Sequence, residues 1–368
     1  MPVQFFDITR QNKEVRAEID KTISEVVTSG RFILGGKVEA FEKQLAAYCG
    51  AKHSVGVASG TDAIHLALLA CGIKPGDEVI TSPFTFMATA ETIVYCGAKP
   101  VFVDIDPQTF NLDVSKIEEK LSGKTKAILP VHLYGLSCEM DKIMALAKKH
   151  NLKVIEDCAQ AMGAKYQDKY VGNWGDAGGF SFFPTTNLGC FGDGGAITTN
   201  SQATAEEIKV LRNHGSRKTY HYDIIGYNSR LDALQAAILS VKLPKIEEYL
   251  DKRTQNASIY FTLLKDSSEI SLPYTPAQAR HTYNQFTIRL KKRNELFGFL
   301  KEKNIGSMVY YPLALHLQKA LEPLGYKKGD FPATEAAQAE VLSLPIYPEL
   351  TPQEIEEVAS TIKEFFKK

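Results

Sequence analysis

Along roughly the first 200 residues, short apolar runs rich in β-branched residues alternate with stretches whose apolar positions recur at helical spacing. The runs are SVGVAS (54–59), EVITSP (78–83), KPVFVDID (99–106), KAILPVHLYG (126–135), KVIEDCA (153–159), GGFSFFP (178–184) and GAITTN (195–200). Between them, TDAIHLALLAC (61–71), MATAETIVYC (87–96), LDVSKIEEKL (112–121) and EMDKIMALAKKH (139–150) predict helices. Nearly continuous apolar strands separated by helices predict an α/β fold: a large, mostly parallel sheet covered on both faces. Ligands of such sheets sit outside the carboxyl ends of the strands.

The pattern then changes. A long helical stretch, RLDALQAAILSVKLPKIEEYLDKRTQNASIYFTLLK, covers 230–265, and Pro244 is expected to break or kink it. Beyond it only QFTIRL (285–290) and SMVYYP (307–312) read as strands, mixed with helices. The last helix, PQEIEEVASTIKEFFKK, carries Ile355, Val358, Ile362 and Phe365 on one face. We place a boundary near residue 245, giving a large domain at 1–245 and a smaller C-terminal α+β domain at 246–368.

Composition narrows the function without naming it. The chain has 368 residues, 44% hydrophobic and 23% charged, with a formal net charge of zero. This argues against a general nucleic-acid or membrane-surface binder. No apolar run reaches transmembrane length, and MPVQFFDITRQNKEV lacks the basic start and apolar stretch of a signal peptide. The six cysteines are widely spaced with no CxxC pair, so they read as free thiols in a reducing, cytoplasmic setting. The histidines form no metal-binding cluster of the HExxH kind, and no metal is expected.

Four strand ends carry candidate chemistry. ASGTDA (58–63) opens a helix, where free N–H groups and the Thr61 hydroxyl form an anion site; a plain helix cap by Ser59 or Thr61 is the alternative. EDCAQ (156–160) puts Asp157 where a carboxylate pairs with a protonated ring nitrogen, or merely caps a turn. FTFMATAE (84–91) puts Phe84 and Phe86 where a ring stacks on a flat ligand, or packs in the core. GGFSFFPTTNLGCFGDGGAI (178–197) offers Ser181 and several glycines that permit close backbone approach, yet it is neither a P-loop nor GxGxxG. A phosphate cradle, a carboxylate, a stacking ring and a flexible loop together suit pyridoxal 5'-phosphate (PLP).

With these motifs in hand, the chain resembles the DegT/DnrJ/EryC1/StrS family of PLP-dependent nucleotide-sugar aminotransferases. The likeness runs from SGRFILGGKVEAFE (29–42) through SGTDAIHLAL (59–68), PGDEVITSPFTFMATAETI (75–93), PVFVDID (100–106) and EDCAQAMGA (156–164) to GYNSRLDALQAAIL (226–239). It implies the type I fold of PLP enzymes and a homodimer with active sites at the interface. It also implies PLP or pyridoxamine phosphate as cofactor, and glutamate and a nucleotide-linked sugar as substrates. By position, Gly60, Thr61 and Ser181 match phosphate-binding residues, and Asn228 matches a phosphate ligand from the neighbouring subunit. Phe86 matches the stacking ring, Asp157 the ring-nitrogen partner, and Gln160 a residue near the phenolic oxygen. Arg31, Phe32, Arg230, Tyr310, Tyr311 and His316 fall where the family meets sugar or nucleotide, and Arg217 and Lys218 where a diphosphate would lie.

One position departs from the family pattern. Where the family has the lysine that bonds covalently to the cofactor, SFFPTTNLG places Thr186. A hydroxyl forms no imine and is too weak a base to move a carbon-bound proton. The expectation is therefore a lysine-replaced, inactive form of an aminotransferase, acting in its lysine-bearing form on a 3-oxo sugar such as UDP-2-acetamido-3-oxo-glucuronate or a dTDP-3-oxo-6-deoxyhexose. The alternatives are a C4 aminotransferase and a naturally non-catalytic, regulatory paralogue.

Overall fold

A computed structural model describes residues 2–218 and 220–367. The predicted apolar runs form one seven-stranded sheet. Its strands are β1 (His53–Val57), β2 (Glu78–Thr81), β3 (Lys99–Phe102), β4 (Thr125–Leu129), β5 (Lys153–Asp157), β6 (Ala177–Ser181) and β7 (Gly195–Thr199), in the order β1-β7-β6-β5-β4-β2-β3. Only β7 runs against its neighbours; all other pairs are parallel. The strands are buried along nearly their whole length because helices cover both faces, which is why they read as continuous apolar runs. The apolar sequence of Gly60–Ala70 (α1) packs on β6, β7 and Met87–Tyr95 (α2).

Pro244 breaks the long helical stretch as expected. Ala233–Lys242 (α3) ends in a 3-10 turn at Leu243–Lys245, and Ile246–Leu264 (α4) follows. The first turns of α4 pack into the same core as α3, while Ala257, Tyr260 and Leu264 enter a second core. That second core surrounds Phe286–Arg289 (β8) paired antiparallel with Val341–Leu344 (β9), and it also takes in Val3 from the start of the chain. Asp104, at the end of the β3 segment, accepts hydrogen bonds from Ala333 N and Thr334 N (both 3.0 Å), the first amides of Pro332–Glu340 (α5). A carboxylate at a helix N-terminus is favourable, so this contact latches the two parts together.

Two sequence expectations change. Residues 112–121 form two 3-10 turns, Val114–Lys116 and Glu118–Lys120, and no α-helix. Asp113 accepts from Ser115 N and Oγ (3.1 and 2.6 Å), a local arrangement that competes with helical bonding. Residues 307–312 form no strand; Met308 makes a single bridge to Ser343, and the two tyrosines beyond it turn into a cavity. The C-terminal helix spans Pro352–Lys367, with Ile355, Val358 and Ile362 buried; Lys368 lies outside the described residues. No helix among the described residues is long and apolar enough to cross a membrane.

Glu354 closes a capping box at the start of that helix: it accepts from Thr351 N at 2.9 Å, and Thr351 Oγ1 accepts from Glu354 N at 3.3 Å. Arg10 reaches it with two bonds of 2.8 and 2.6 Å, tying the N-terminal segment to the second core. The Arg10 guanidinium pulls the Glu354 carboxyl down to about 2. A depressed carboxyl pKa stabilises the fold above the unfolded value near 4.5, and that stability is lost as pH falls from about 4.5 towards about 2. Glu354→Gln is expected to remove about 1–3 kcal/mol at neutral pH and to flatten the acid limb of stability, read by urea unfolding from pH 7 to 3.

Candidate active site at the carboxyl ends of the strands

The carboxyl ends of the central strands and two segments of the second core enclose a cavity of about 430 Å³. Its lining includes Gly60, Thr61, Phe86, Asp157, Gln160, Ser181, Thr186, Tyr310 and Tyr311, so nine of the residues singled out in the sequence meet at one place.

The first wall is the start of α1. Ser59 is its cap, with Oγ accepting from Asp62 N at 3.0 Å, so Thr61 is left facing the cavity rather than capping. The first amides of a helix have no carbonyl partner within it and are disposed to hold an anion. Gly60 is packed so closely on Ser181 that an added Cβ would lie 2.6 Å from the Ser181 Cβ. A side chain at position 60 would therefore push these two walls apart.

The second wall is the end of β5. Successive strand residues face opposite sides. Asp157 faces the cavity, accepting from Thr89 Oγ1 at 2.8 Å and Ala159 N at 3.1 Å. It is only 4% exposed, and burial raises its pKa against the opposing effect of those two donors. A cation at the cavity floor would be the partner that lets it ionise fully. Its neighbour Glu156 points the other way, accepting from Gly172 N, Trp174 N and Gly175 N at 2.8–2.9 Å and facing His132 Nε2 at 3.1 Å. Cys138 N donates to His132 Nδ1 at 3.1 Å, so the ring proton sits on Nε2 and goes to Glu156. His132, Glu156 and Cys158 lie within metal-ligating reach of one another, but these hydrogen bonds already occupy the histidine and the carboxylate.

The third wall joins the two cores. Gln160 accepts from Tyr134 N at 2.7 Å and donates to Tyr311 OH at 3.0 Å; the Tyr134 hydroxyl donates to Tyr310 O. Phe86 stays 59% exposed, its ring 6.3 Å from that of Tyr311, which leaves an aromatic face open to a planar ligand. Thr85, Thr89, Asp193, Asn284 and Gln285 also line the cavity; the first three sit inside the quoted strand-end motifs but were not singled out there, whereas Asn284 and Gln285 come from a distant segment that carries no motif.

The loop between β6 and β7 closes the cavity. Thr186 N bonds Phe183 O at 2.9 Å, and Thr186 Oγ1 donates to the same oxygen at 2.8 Å. The hydroxyl at the lysine position is thus satisfied within its own turn.

Eight other residues singled out lie outside this chain's cavity lining. Phe84 takes the core-packing alternative, buried among Val131, Leu133 and Tyr134. Asn228 is exposed, bridged to Asn213, and next to Ser229, whose hydroxyl donates to Asp62 at the start of α1 (2.7 Å). Arg230 donates to Asn213 Oδ1 at 2.9 Å, and its buried Nε has no partner among the described residues. Arg31 and Phe32 are exposed shortly before the Gly36–Cys49 helix, and Phe32 O accepts from Ala233 N at the start of α3. Arg217 pairs with Glu207 and Asp223 (2.9 and 3.4 Å), and Lys218 lies on the same exposed hairpin. His316 is buried against Phe331 and bonded to Glu335 at 3.1 Å.

Comparison with known proteins agrees with this architecture. Residues 13–363 match the DegT/DnrJ/EryC1/StrS aminotransferase family. The chain is 50% identical to the "pleiotropic regulatory protein" of Geobacillus stearothermophilus, over 100% of this chain and 99% of that one. It is 46% identical to the dTDP-3-amino-3,6-dideoxy-alpha-D-galactopyranose transaminase of Aneurinibacillus thermoaerophilus, over 99% of each. It is 44% identical to a UDP-N-acetyl-3-dehydro-alpha-D-glucosamine 3-aminotransferase of Acidithiobacillus ferrooxidans, over 98% of this chain and 97% of that one. Among solved structures, DesV of S. venezuelae, in complex with a ketimine intermediate, superposes with a TM-score of 0.98 at 39% identity, covering 100% of this chain and 99% of that one.

Proposed function

Because the chain belongs to the DegT/DnrJ/EryC1/StrS aminotransferase family of PLP-dependent nucleotide-sugar enzymes, we propose that its cavity takes pyridoxal or pyridoxamine phosphate together with a nucleotide-linked amino sugar, and that Thr186 leaves it unable to turn over. The observation that carries this reading is one cavity that keeps the helix N-terminus at Gly60, the buried Asp157 and the open ring of Phe86, with a threonine where the amine belongs. When bound, the cofactor supplies a ring that takes up the electron pair released at a substrate carbon. The chain supplies the rest. Gly60, Thr61 and Ser181 hold the phosphate, Phe86 supports the ring, and Gln160 orients its phenolic edge. Asp157, ionised, keeps the proton on the ring nitrogen. Thr186 neither anchors the ring nor accepts a proton.

In the lysine-bearing form the reaction is amination of a 3-oxo nucleotide hexose with glutamate as donor. The names of the two transaminase relatives support carbon 3 and a UDP or dTDP carrier; amination at carbon 4 is the alternative. A homodimer fits this reading, with Asn228 reaching the partner's phosphate and Arg31, Phe32, Arg217, Lys218, Arg230, Tyr310, Tyr311 and His316 serving the sugar nucleotide. The cytoplasm, where nucleotide sugars are made, is the compartment that suits it. A non-catalytic regulatory role is a second reading, favoured by the self-satisfied Thr186 hydroxyl and by the name of the 50% identical relative.

The test is titration of the protein with PLP, alone and with UDP- or dTDP-linked 3-amino sugars, alongside sedimentation. Saturable, reversible binding, tightened by one amino-sugar nucleotide, by a dimer is the expected result. A monomer that binds PLP fully refutes the shared site, and absence of PLP binding refutes the cofactor reading. A native gene with lysine at 186 identifies an enzyme, and one with threonine favours the regulatory reading.

A further inference from the structure

Behind the loop that carries position 186, α3 presents two polar side chains that the cofactor site does not use. Lys242, in its last turn, is fully buried and donates through Nζ to Gly189 O at 2.9 Å, with its ammonium 5.1 Å from the centre of the Phe191 ring. Gln235 lies two turns earlier on the same face. It donates to Phe191 O at 3.1 Å and accepts from Phe191 N at 2.8 Å. Burial brings the Lys242 pKa down to about 8. An amine held in apolar surroundings costs stability, and Gly189 O is its one hydrogen-bond acceptor among the described residues. Its position is therefore best explained by what it grips.

What it grips is the wall of the cavity. Ser181 at the end of β6 and Phe183, Thr185, Thr186 and Asp193 of the β6–β7 connection all line it, and the far side of that connection rests on α3. Gly189 itself cannot carry a side chain, since a Cβ there would lie 2.4 Å from Pro184 O, so the turn depends on backbone contacts. With threonine at 186, no covalent bond to the cofactor can hold this loop in place.

We propose that Lys242 and Gln235 are positioning residues that clamp the 183–193 loop to α3 and thereby set how tightly the cavity holds PLP without a covalent bond. This rests on the cofactor reading above. The test uses the full chain with Lys242→Met, Lys242→Arg and Gln235→Ala. Circular dichroism of bound PLP gives affinity and ring orientation, and amide hydrogen exchange reports on 186–192. Lys242→Met is expected to weaken PLP about tenfold, alter its dichroism and speed exchange at 186–192 while leaving β1–β5 unchanged. Lys242→Arg, which keeps a donor, recovers most of the affinity, and Gln235→Ala weakens PLP several-fold. Should Lys242→Met bind PLP as tightly as the parent, or should exchange rise evenly across the sheet with no rescue by arginine, the clamp is refuted. A parent chain that gives no PLP signal refutes the cofactor reading instead, and exchange in the unliganded variants still decides whether α3 holds the loop.

Discussion

Thr186→Lys is expected to give the chain a covalently bound cofactor and glutamate-dependent amination of a nucleotide keto-sugar. The loop is already formed without the lysine: Thr186 N bonds Phe183 O, Cys190 N bonds Phe182 O, and α3 holds Gly189 and Phe191 from behind. The Thr186 hydroxyl adds a bond to Phe183 O, but the backbone bonds above hold the loop without it, and residue 186 lines the cavity. A lysine there has somewhere to go and a formed site to enter. The gain has two sources, a covalent anchor for the cofactor and a base that moves the proton between carbons; positioned general-base groups alone give about 10²–10⁴-fold. Borohydride reduction followed by mass spectrometry is expected to find a pyridoxyl group within residues 178–197 of the variant and none in the parent. Should the threonine protein already turn over at a rate comparable to the lysine variant, this loop is not where the family's lysine belongs.

How much of this was visible beforehand depends on where each contact originates. Buried parallel strands announce themselves because both faces must be apolar, so the starts of β1–β7 were legible nearly to the residue, while the predicted runs overshot their ends, most of all at 126–135, where the strand stops at Leu129. The 112–121 segment was misread because its apolar spacing is helical while Asp113 and Ser115 settle a tighter turn locally. β9, VLSL at 341–344, went unnoticed because its partner lies far off in sequence at 286–289 and its flank reads as helix. The site divides in the same way. Residues whose chemistry stands out inside strand-end motifs were found; Thr85, Thr89 and Asp193 share those motifs and were passed over, and Asn284 and Gln285 were invisible because only the docking of the second core brings them to the cavity. Glu156 shows the finer limit: it adjoins Asp157 in EDCAQ with the same functional group, and strand alternation alone turns one to the cavity and the other to a buried hydrogen-bond network.

Asp157→Ala, made in a Thr186→Lys background, is expected to lower turnover by about a hundredfold or more while leaving a folded protein. Asp157 is the cavity carboxylate buried at 4% exposure, where a charge-assisted contact is worth about 3 kcal/mol, and that energy converts to about a hundredfold in rate. Its loss leaves nothing to keep a proton on the cofactor's ring nitrogen, and an unprotonated ring is a poor electron sink. Stability should respond far less. The same substitution strands the donors on Thr89 and Ala159, which is unfavourable, but it also removes a carboxylate that burial already disfavours in its charged form. Asp157→Asn sharpens the comparison, because its amide oxygen keeps an acceptor for Ala159 N and its amide nitrogen can donate to the Thr89 hydroxyl, yet it carries no charge. If the charge is what matters, Asn fails with Ala in steady-state turnover while melting close to the parent. Near-full activity in either variant would reduce Asp157 to the cap of a strand end and would remove the electrostatic centre from the proposed site.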